Sequence, residues 1–324
     1  MAVSDRKVFL AGCGSIGKRH AECLYDIGVR SFLFYDPDPA RSRALADQYH
    51  GETVPTYEDG LSSDADAVYI LSPTKLHVAQ AKQAVLAGKN IFLEKPLSDS
   101  PDGIDELQRL IDEKGVTVEV GFCFRFHDGI AKMKKLLSDG EIGKLVSVRA
   151  MMGEHFPDVR PDYLSTYYVK YSGTFELVHD LDLALYFAGK EPVDFTGFCG
   201  SYSGLGFESP DTAEIVMKFD DAVANVHLDF FQSPRTRTMT LLGTEGQMVL
   251  DFSTWDRCTL RIYRRSTGSW ERFDMTTARN DMFRAESRNF FAACGGEEPN
   301  LVPVSEAVKS LKIVQSVIKA NHFR

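Results

Sequence analysis

The chain has 324 residues, 44% hydrophobic and 26% charged, with a formal net charge of -9. That profile fits a globular protein long enough for two domains of about 100–200 residues each. The negative balance opposes binding to nucleic acid or anionic membrane, and no apolar run nears the ~18 residues of a membrane span, so neither partner is expected.

Val8 to Ala11 is a short apolar run without alternation, as in a strand buried on both faces. Gly12, Gly14 and Gly17 follow, and a helical pattern begins directly after them. In such a loop the first glycine permits the turn, the second lets the backbone approach a pyrophosphate, and the third packs helix against strand. A second strand, Ser31 to Tyr35, ends in Asp36, at the separation of about 20 residues where an acid binds an adenosine ribose. Such an acid repels a 2′-phosphate, which favours NAD, while Arg41 and Arg43 leave NADP open.

Asp38-Pro39 then opens a helix towards Tyr49, and Asp66 to Leu71 reads as a buried strand. A helix from Thr74 to Ala87 stops at Gly88, and Asn90 to Leu93 is a strand. Ser100-Pro101 supplies a cap and first-turn proline for a helix ending at Gly115, and Val116 to Val120 closes the series. Alternation of this kind predicts an α/β domain, a doubly wound parallel sheet with its ligand at the carboxyl ends of the strands. Two of those ends carry chemistry: Ser72-Pro73-Thr74 with His77, and Glu94-Lys95-Pro96. Lys95 is either a solvated lysine paired with Glu94, or an ammonium that hydrogen-bonds a substrate oxygen and stabilises alkoxide charge.

Past Phe126 the pattern changes. Ile130 to Asp139 reads as an amphipathic helix and Leu145 to Met151 as a strand. Gly153 to Tyr171 is irregular, rich in tyrosine, proline and charge, and a helix runs from Thr174 to Ala188. Period-two alternation around Val226, Leu228, Phe230 and Met248, Leu250, Phe252 predicts an antiparallel sheet, so this half is α+β with one open sheet face. Phe283, Phe290 and Phe291 form a helical stripe, and a last helix spans Ser305 to Ala320. Glu176 and His179 stand one helical turn apart, where a carboxylate can set the tautomer of an imidazole and raise its basicity. No H-E-x-x-H or Cys/His spacing supports a metal with Glu176, His179 and Asp182. The six cysteines form no C-x-x-C pair and suit a reducing cytoplasm, the expected location, since the first apolar run starts too early for a secretory signal.

The ordered set of G-x-G-x-x-G at Gly12, Asp36, Ser72-Pro73-Thr74 with His77, Glu94-Lys95-Pro96, Gly121-Phe122-Cys123-Phe124-Arg125-Phe126 and His179-x-x-Asp182 resembles the Gfo/Idh/MocA oxidoreductases. The resemblance implies an NAD-binding Rossmann domain over residues 1–122 and a substrate-binding and oligomerisation domain over 123–324. Helical segments such as 305–320 would pack back on the first. It implies hydride transfer between nicotinamide and a secondary alcohol or hemiacetal carbon of a sugar, inositol or derivative. Lys95 would bind the reacting oxygen, His179 would act as the base and Glu176 would orient it. Cofactor contacts would come from Gly12, Gly14, Ser15, Ile16, Gly17, Asp36, Ser72, Pro73, Thr74, His77, Glu94, Lys95 and Arg125. Substrate contacts would come from Lys95, Glu176, His179 and, in the irregular stretch, Arg160 and Tyr163, with Tyr167 and Lys170 nearby. That stretch could equally pack as a surface loop or subunit contact. A homo-oligomer, dimer or tetramer, through the open sheet is implied as well. Two other readings stay open: a tightly held NAD serving glycoside cleavage or epimerisation, and a non-catalytic metabolite sensor.

Overall fold

The computed structural model describes residues 3–166 and 168–322. It forms two compact units. One is the chain up to Cys123 together with Asn280–Leu311, and the other is Phe124–Arg279 with the chain from Lys312.

In the first unit, strands β1 (Lys7–Ala11), β2 (Ser31–Tyr35), β3 (Glu52–Thr53), β4 (Ala67–Ile70), β5 (Asn90–Leu93) and β6 (Val118–Val120) make a parallel sheet in the order 3-2-1-4-5-6. This is the doubly wound Rossmann order, whose switch point lies between β1 and β4. Helix α1 (Ser15–Asp26) buries Gly17, His20, Ala21 and Leu24, the spacing that puts them on one face. Asp38 caps α2 (Pro39–Tyr49) by accepting the Ala40 N–H at 3.0 Å.

Three boundaries differ from expectation. The short β3 and α3 (Tyr57–Leu61) carry too few apolar residues to show a period. The helix expected from Thr74 starts with a 3-10 turn, Thr74–Leu76, and becomes α4 only at His77–Leu86. Ser100 does not cap a helix: its Oγ accepts the Asp102 N–H in a local turn, and α5 (Ile104–Lys114) opens after Gly103.

The helix Asp281–Cys294 belongs to this unit, with Phe290 and Phe291 packed among Val8, Leu10, Tyr69 and Phe92. Its Glu286 is fully buried, and burial, reinforced by Glu94 and Glu119, holds its carboxyl protonated well above the ordinary range. The folded chain therefore binds a proton that the unfolded chain releases, so this residue's contribution to stability falls as pH rises above the unfolded value. The slope is at most about 1.4 kcal/mol per pH unit. Glu286→Gln is expected to raise the melting temperature, and more so near about pH 8 than near about pH 5. Thermal melts at both pH values check this, and a gain that shrinks with pH would refute it.

The second unit is built on an eight-stranded sheet. Its strands are β7 (Leu145–Gly153), β8 (Asp194–Gly200), β9 (Thr212–Lys218), β10 (Val223–Asp229), β11 (Thr236–Gly243), β12 (Gly246–Asp251), β13 (Arg257–Arg264) and β14 (Ser269–Thr276), in the order 14-13-12-11-7-10-9-8. Neighbours run antiparallel except β7 and β10, which are parallel. Alternate residues such as Val148, Ile215, Val226, Leu241 and Leu260 bury one face, which α8 (His179–Ala188) covers in part. The other face bears Phe198, Val216 and Val223, all exposed, among polar neighbours. Helices α6 (Asp128–Ser138) and α7 (Phe156–Val159) flank β7 in sequence.

The helix expected over Thr174–Ala188 is divided. Gly173 adopts φ +53, and a Cβ there would lie 2.0 Å from the Pro210 carbonyl oxygen, which also accepts the Thr174 N–H at 2.8 Å. Tied down in this way, Gly173–Leu177 winds as a 3-10 helix and the α-helix begins at His179. Among the described residues no helix is long and apolar enough to cross a membrane.

Candidate active site

The glycine loop leaves β1 at the switch point. Gly12 has φ +113, and a Cβ on it would come 2.5 Å from the Leu71 carbonyl oxygen at the end of β4. A Cβ on Gly17 would come 2.1 Å from the Gly12 oxygen, so helix and loop touch there. At Gly14 the same atom would meet nothing within 4 Å, the open approach that a phosphate needs. Gly14 ends the loop without a side-chain cap, and Ser15 begins α1, so first-turn N–H groups remain to bind an anion. Ile16 packs partly into the core.

Asp36 lies beside this loop. Its Oδ2 accepts the Cys13 N–H at 2.8 Å and its Oδ1 the Asp38 N–H at 2.9 Å. Each carboxylate oxygen keeps a second lone pair for a ribose hydroxyl. Arg41 pairs with Asp38 at 3.4 Å, and Arg43 is exposed. The loop, the helix start and this carboxylate fit NAD.

Several residues expected to touch the cofactor also have partners within the protein. Glu94 Oε1 contacts His20 Nε2 at 2.9 Å and its Oε2 accepts the Lys95 N–H at 2.8 Å, so the carboxylate braces the strand end that carries Lys95. His77 is buried, with Nδ1 and Nε2 each 2.9 Å from a carbonyl oxygen, those of Pro96 and Ser72, and burial lowers its pKa. Its ring lies between the two loaded strand ends, and as a neutral imidazole it donates to one of the two carbonyls. Ser72 Oγ bonds Gln80 Oε1 at 2.5 Å, while Pro73 and Thr74 enter the following 3-10 turn. Lys95 is half-buried.

In the second unit, the start of α8 is fixed by two buried ion pairs. Arg125 donates from Nε and a terminal nitrogen to both oxygens of Asp182, at 2.8 and 2.6 Å. Arg125, expected at the cofactor, also braces α8, its guanidinium 4.9 Å from the Tyr186 ring centroid. Arg237 of β11 holds Asp180 in the same fork, at 3.0 and 2.6 Å. Its guanidinium lies 3.5 Å from the centroid of Phe124, whose ring meets the His179 ring edge-on at 5.0 Å. Phe124, with Arg237 on its ring, thus packs against His179, and the next acids along α8, Asp180 and Asp182, are held by Arg237 and Arg125. Glu176 sits three residues earlier on the 3-10 turn, partly exposed.

The irregular stretch is organised by a small aromatic core of Phe156, Val169, Phe207 and Phe230, with Phe156 stacked on Phe230 at 4.4 Å. Tyr163 joins this core and donates its hydroxyl to the Leu205 carbonyl at 2.9 Å. Arg160 and Lys170 are exposed, and Tyr167 lies outside the described residues. Sequence reading missed Arg237 and His20. The signal for Arg237 was a cation at an inward position of an alternating strand, beside Met239 and Leu241. For His20 it was a polar residue on the buried face of α1.

Residues 6–122 match the profile of the Gfo/Idh/MocA oxidoreductases, an NAD-binding Rossmann fold, and residues 130–249 match the C-terminal domain of the same family. The oxidoreductase YrbE of Bacillus subtilis is 30% identical over 259 residues, 75% of this chain and 73% of its own. This chain belongs to the Gfo/Idh/MocA family. Inositol 2-dehydrogenase of Rhizobium meliloti is 30% identical over 191 residues, 58% of this chain and 56% of that enzyme. In fold, the Gfo/Idh/MocA chain matches UDP-N-acetylglucosamine 3-dehydrogenase GnnA of Acidithiobacillus ferrooxidans with a TM-score of 0.80, covering 98% of both chains at 23% identity.

Proposed function

We propose that this protein is an NAD-dependent dehydrogenase that oxidises a secondary alcohol or hemiacetal of a sugar, inositol or sugar derivative. The observation that carries this reading is His179, an imidazole held at the start of α8 by two buried Asp–Arg pairs. Relatives named as inositol and nucleotide-sugar dehydrogenases support net oxidation over glycoside cleavage or sensing. Bound NAD supplies the hydride acceptor. Gly12, Gly14 and Gly17 give its phosphates backbone access, the α1 N–H groups bind them, and Asp36 takes the ribose hydroxyls. Lys95 donates a hydrogen bond to the reacting oxygen, and His179 removes that oxygen's proton as the C–H bond breaks. Glu176 orients the imidazole. The protein works in the cytoplasm as a homo-oligomer, its open sheet covered through Phe198, Val216 and Val223 of another copy.

Reduction of NAD and NADP in parallel, across sugars, inositols and sugar acids, tests the reading. Turnover with NAD is expected, and Asp36→Ala should weaken the preference for NAD over NADP. Turnover with NADP alone would overturn the role of Asp36. Failure with every alcohol, from protein that still binds NADH, would overturn the activity.

A further inference from the structure

Next to Phe124, on the side of the second unit that carries His179, an exposed tryptophan is flanked by arginines. The Trp255 ring lies 6.0 Å from Phe124, and so stands two ring contacts from His179. The Arg235 guanidinium is 4.7 Å and the Arg279 guanidinium 4.3 Å from the centroid of Trp255. Arg235 also binds Glu154 Oε2 at 3.2 Å and the Ser253 carbonyl, which hold its planar group in place. Arg237, the clamp on Asp180, adds a third guanidinium to the neighbourhood.

Bringing like charges to one ring costs free energy that an anion recovers. Burial and then the charge of Arg237 lower the pKa of Arg235 although Glu154 acts against them, and three guanidinium groups, of Arg235, Arg237 and Arg279, gather here beside the two carboxylates of Glu154 and Asp180. Guanidinium groups are the planar donors that match carboxylate and phosphate oxygens, and the indole between them holds the two groups at one place. We propose that Arg235, Trp255 and Arg279 form an oxyanion subsite, so that the substrate is an anionic sugar carrying a carboxylate or phosphate rather than a neutral polyol. This rests on His179 as the base, because the subsite is placed by its distance from that residue.

The protein has two tryptophans, so Trp270→Phe leaves Trp255 as the sole indole reporter. Its emission is titrated at constant ionic strength with D-glucuronate, D-glucose 1-phosphate, inorganic diphosphate and, as a neutral control, myo-inositol. A saturable change is expected with at least one anion and none with myo-inositol. Adding Arg279→Ala to the reporter should weaken the anion's affinity at least about tenfold, the effect of losing ~1.4 kcal/mol, and Arg279→Lys should restore part of it. Response to glucuronate alone assigns a sugar acid, and response to the phosphates alone assigns a sugar phosphate or nucleotide sugar. No saturable change with any anion, or equal affinity with and without Arg279, overturns the subsite. With inorganic diphosphate, which has no sugar hydroxyl to meet the base, adding His179→Gln should leave the titration as it was, so failure of the catalytic reading shows in turnover and failure of the subsite shows in emission.

Discussion

His179→Ala is expected to lower kcat by about 10²–10⁴-fold, the range for loss of general acid–base help, while the dissociation constant for NADH stays near that of the unaltered protein. The expected split follows from where the residue sits. The glycine loop and Asp36, which fit the dinucleotide, belong to the first unit, and His179 belongs to the second. Removing the imidazole leaves the substrate hydroxyl without its proton acceptor, so water must take that proton as the hydride departs. Lys95→Ala should give a loss of similar size, through the unstabilised alkoxide. On the proposed roles, in which the two groups serve one proton and one oxygen, the double variant should fall well short of the product of the single losses. Steady-state turnover with the best substrate, together with titration of NADH fluorescence, separates binding from chemistry. An unchanged kcat in His179→Ala would remove this residue from the mechanism.

The fold was legible in the sequence wherever burial writes a period. The apolar strands of the first unit, the glycine turn and the closing acid at Asp36 need no tertiary information, because each residue type answers a local demand. The alternating strands of the second unit were legible for the same reason. The side-chain network around the site was much less so. Glu94, His77 and Arg125 carry the right chemistry to meet a cofactor, and a linear sequence shows charge but not direction. In the folded chain Glu94 meets His20, His77 bridges two carbonyls, and Arg125 meets Asp182. The partners of Glu94 and Arg125 stand far along the chain, and only the fold brings them together. The division of the helix before His179 was hidden likewise, since it depends on Pro210 coming close to Gly173. These contacts form a frame of buried polar side chains that the linear sequence does not show.

That frame makes a second large effect measurable. Arg237 and Asp180 are both almost wholly buried. Breaking a buried pair by removing one partner costs about 3–5 kcal/mol, because the other charge is left uncompensated. Arg237→Met is therefore expected to lower stability by that amount, and Asp180→Leu by a similar one. Replacing both together leaves no orphaned charge, and apolar side chains in place of a buried pair are often neutral or stabilising. The double variant Arg237→Met/Asp180→Leu should accordingly recover most of the melting temperature. It should not recover kcat. The Arg237 guanidinium also rests on Phe124, the ring that meets His179, and methionine restores bulk there without the fork that fixes the start of α8. Denaturant unfolding gives the stability cycle, and kcat with the pH profile of the rescued variant gives the positioning effect. If kcat returned together with stability, the pair would be structural cement alone. If neither single variant lost stability, the buried fork would not be holding α8 at all. A stable fold with a slow reaction is the outcome expected of His179 as the proposed base, because Arg237 both holds the start of α8 and rests on Phe124, and the apolar pair replaces only its bulk.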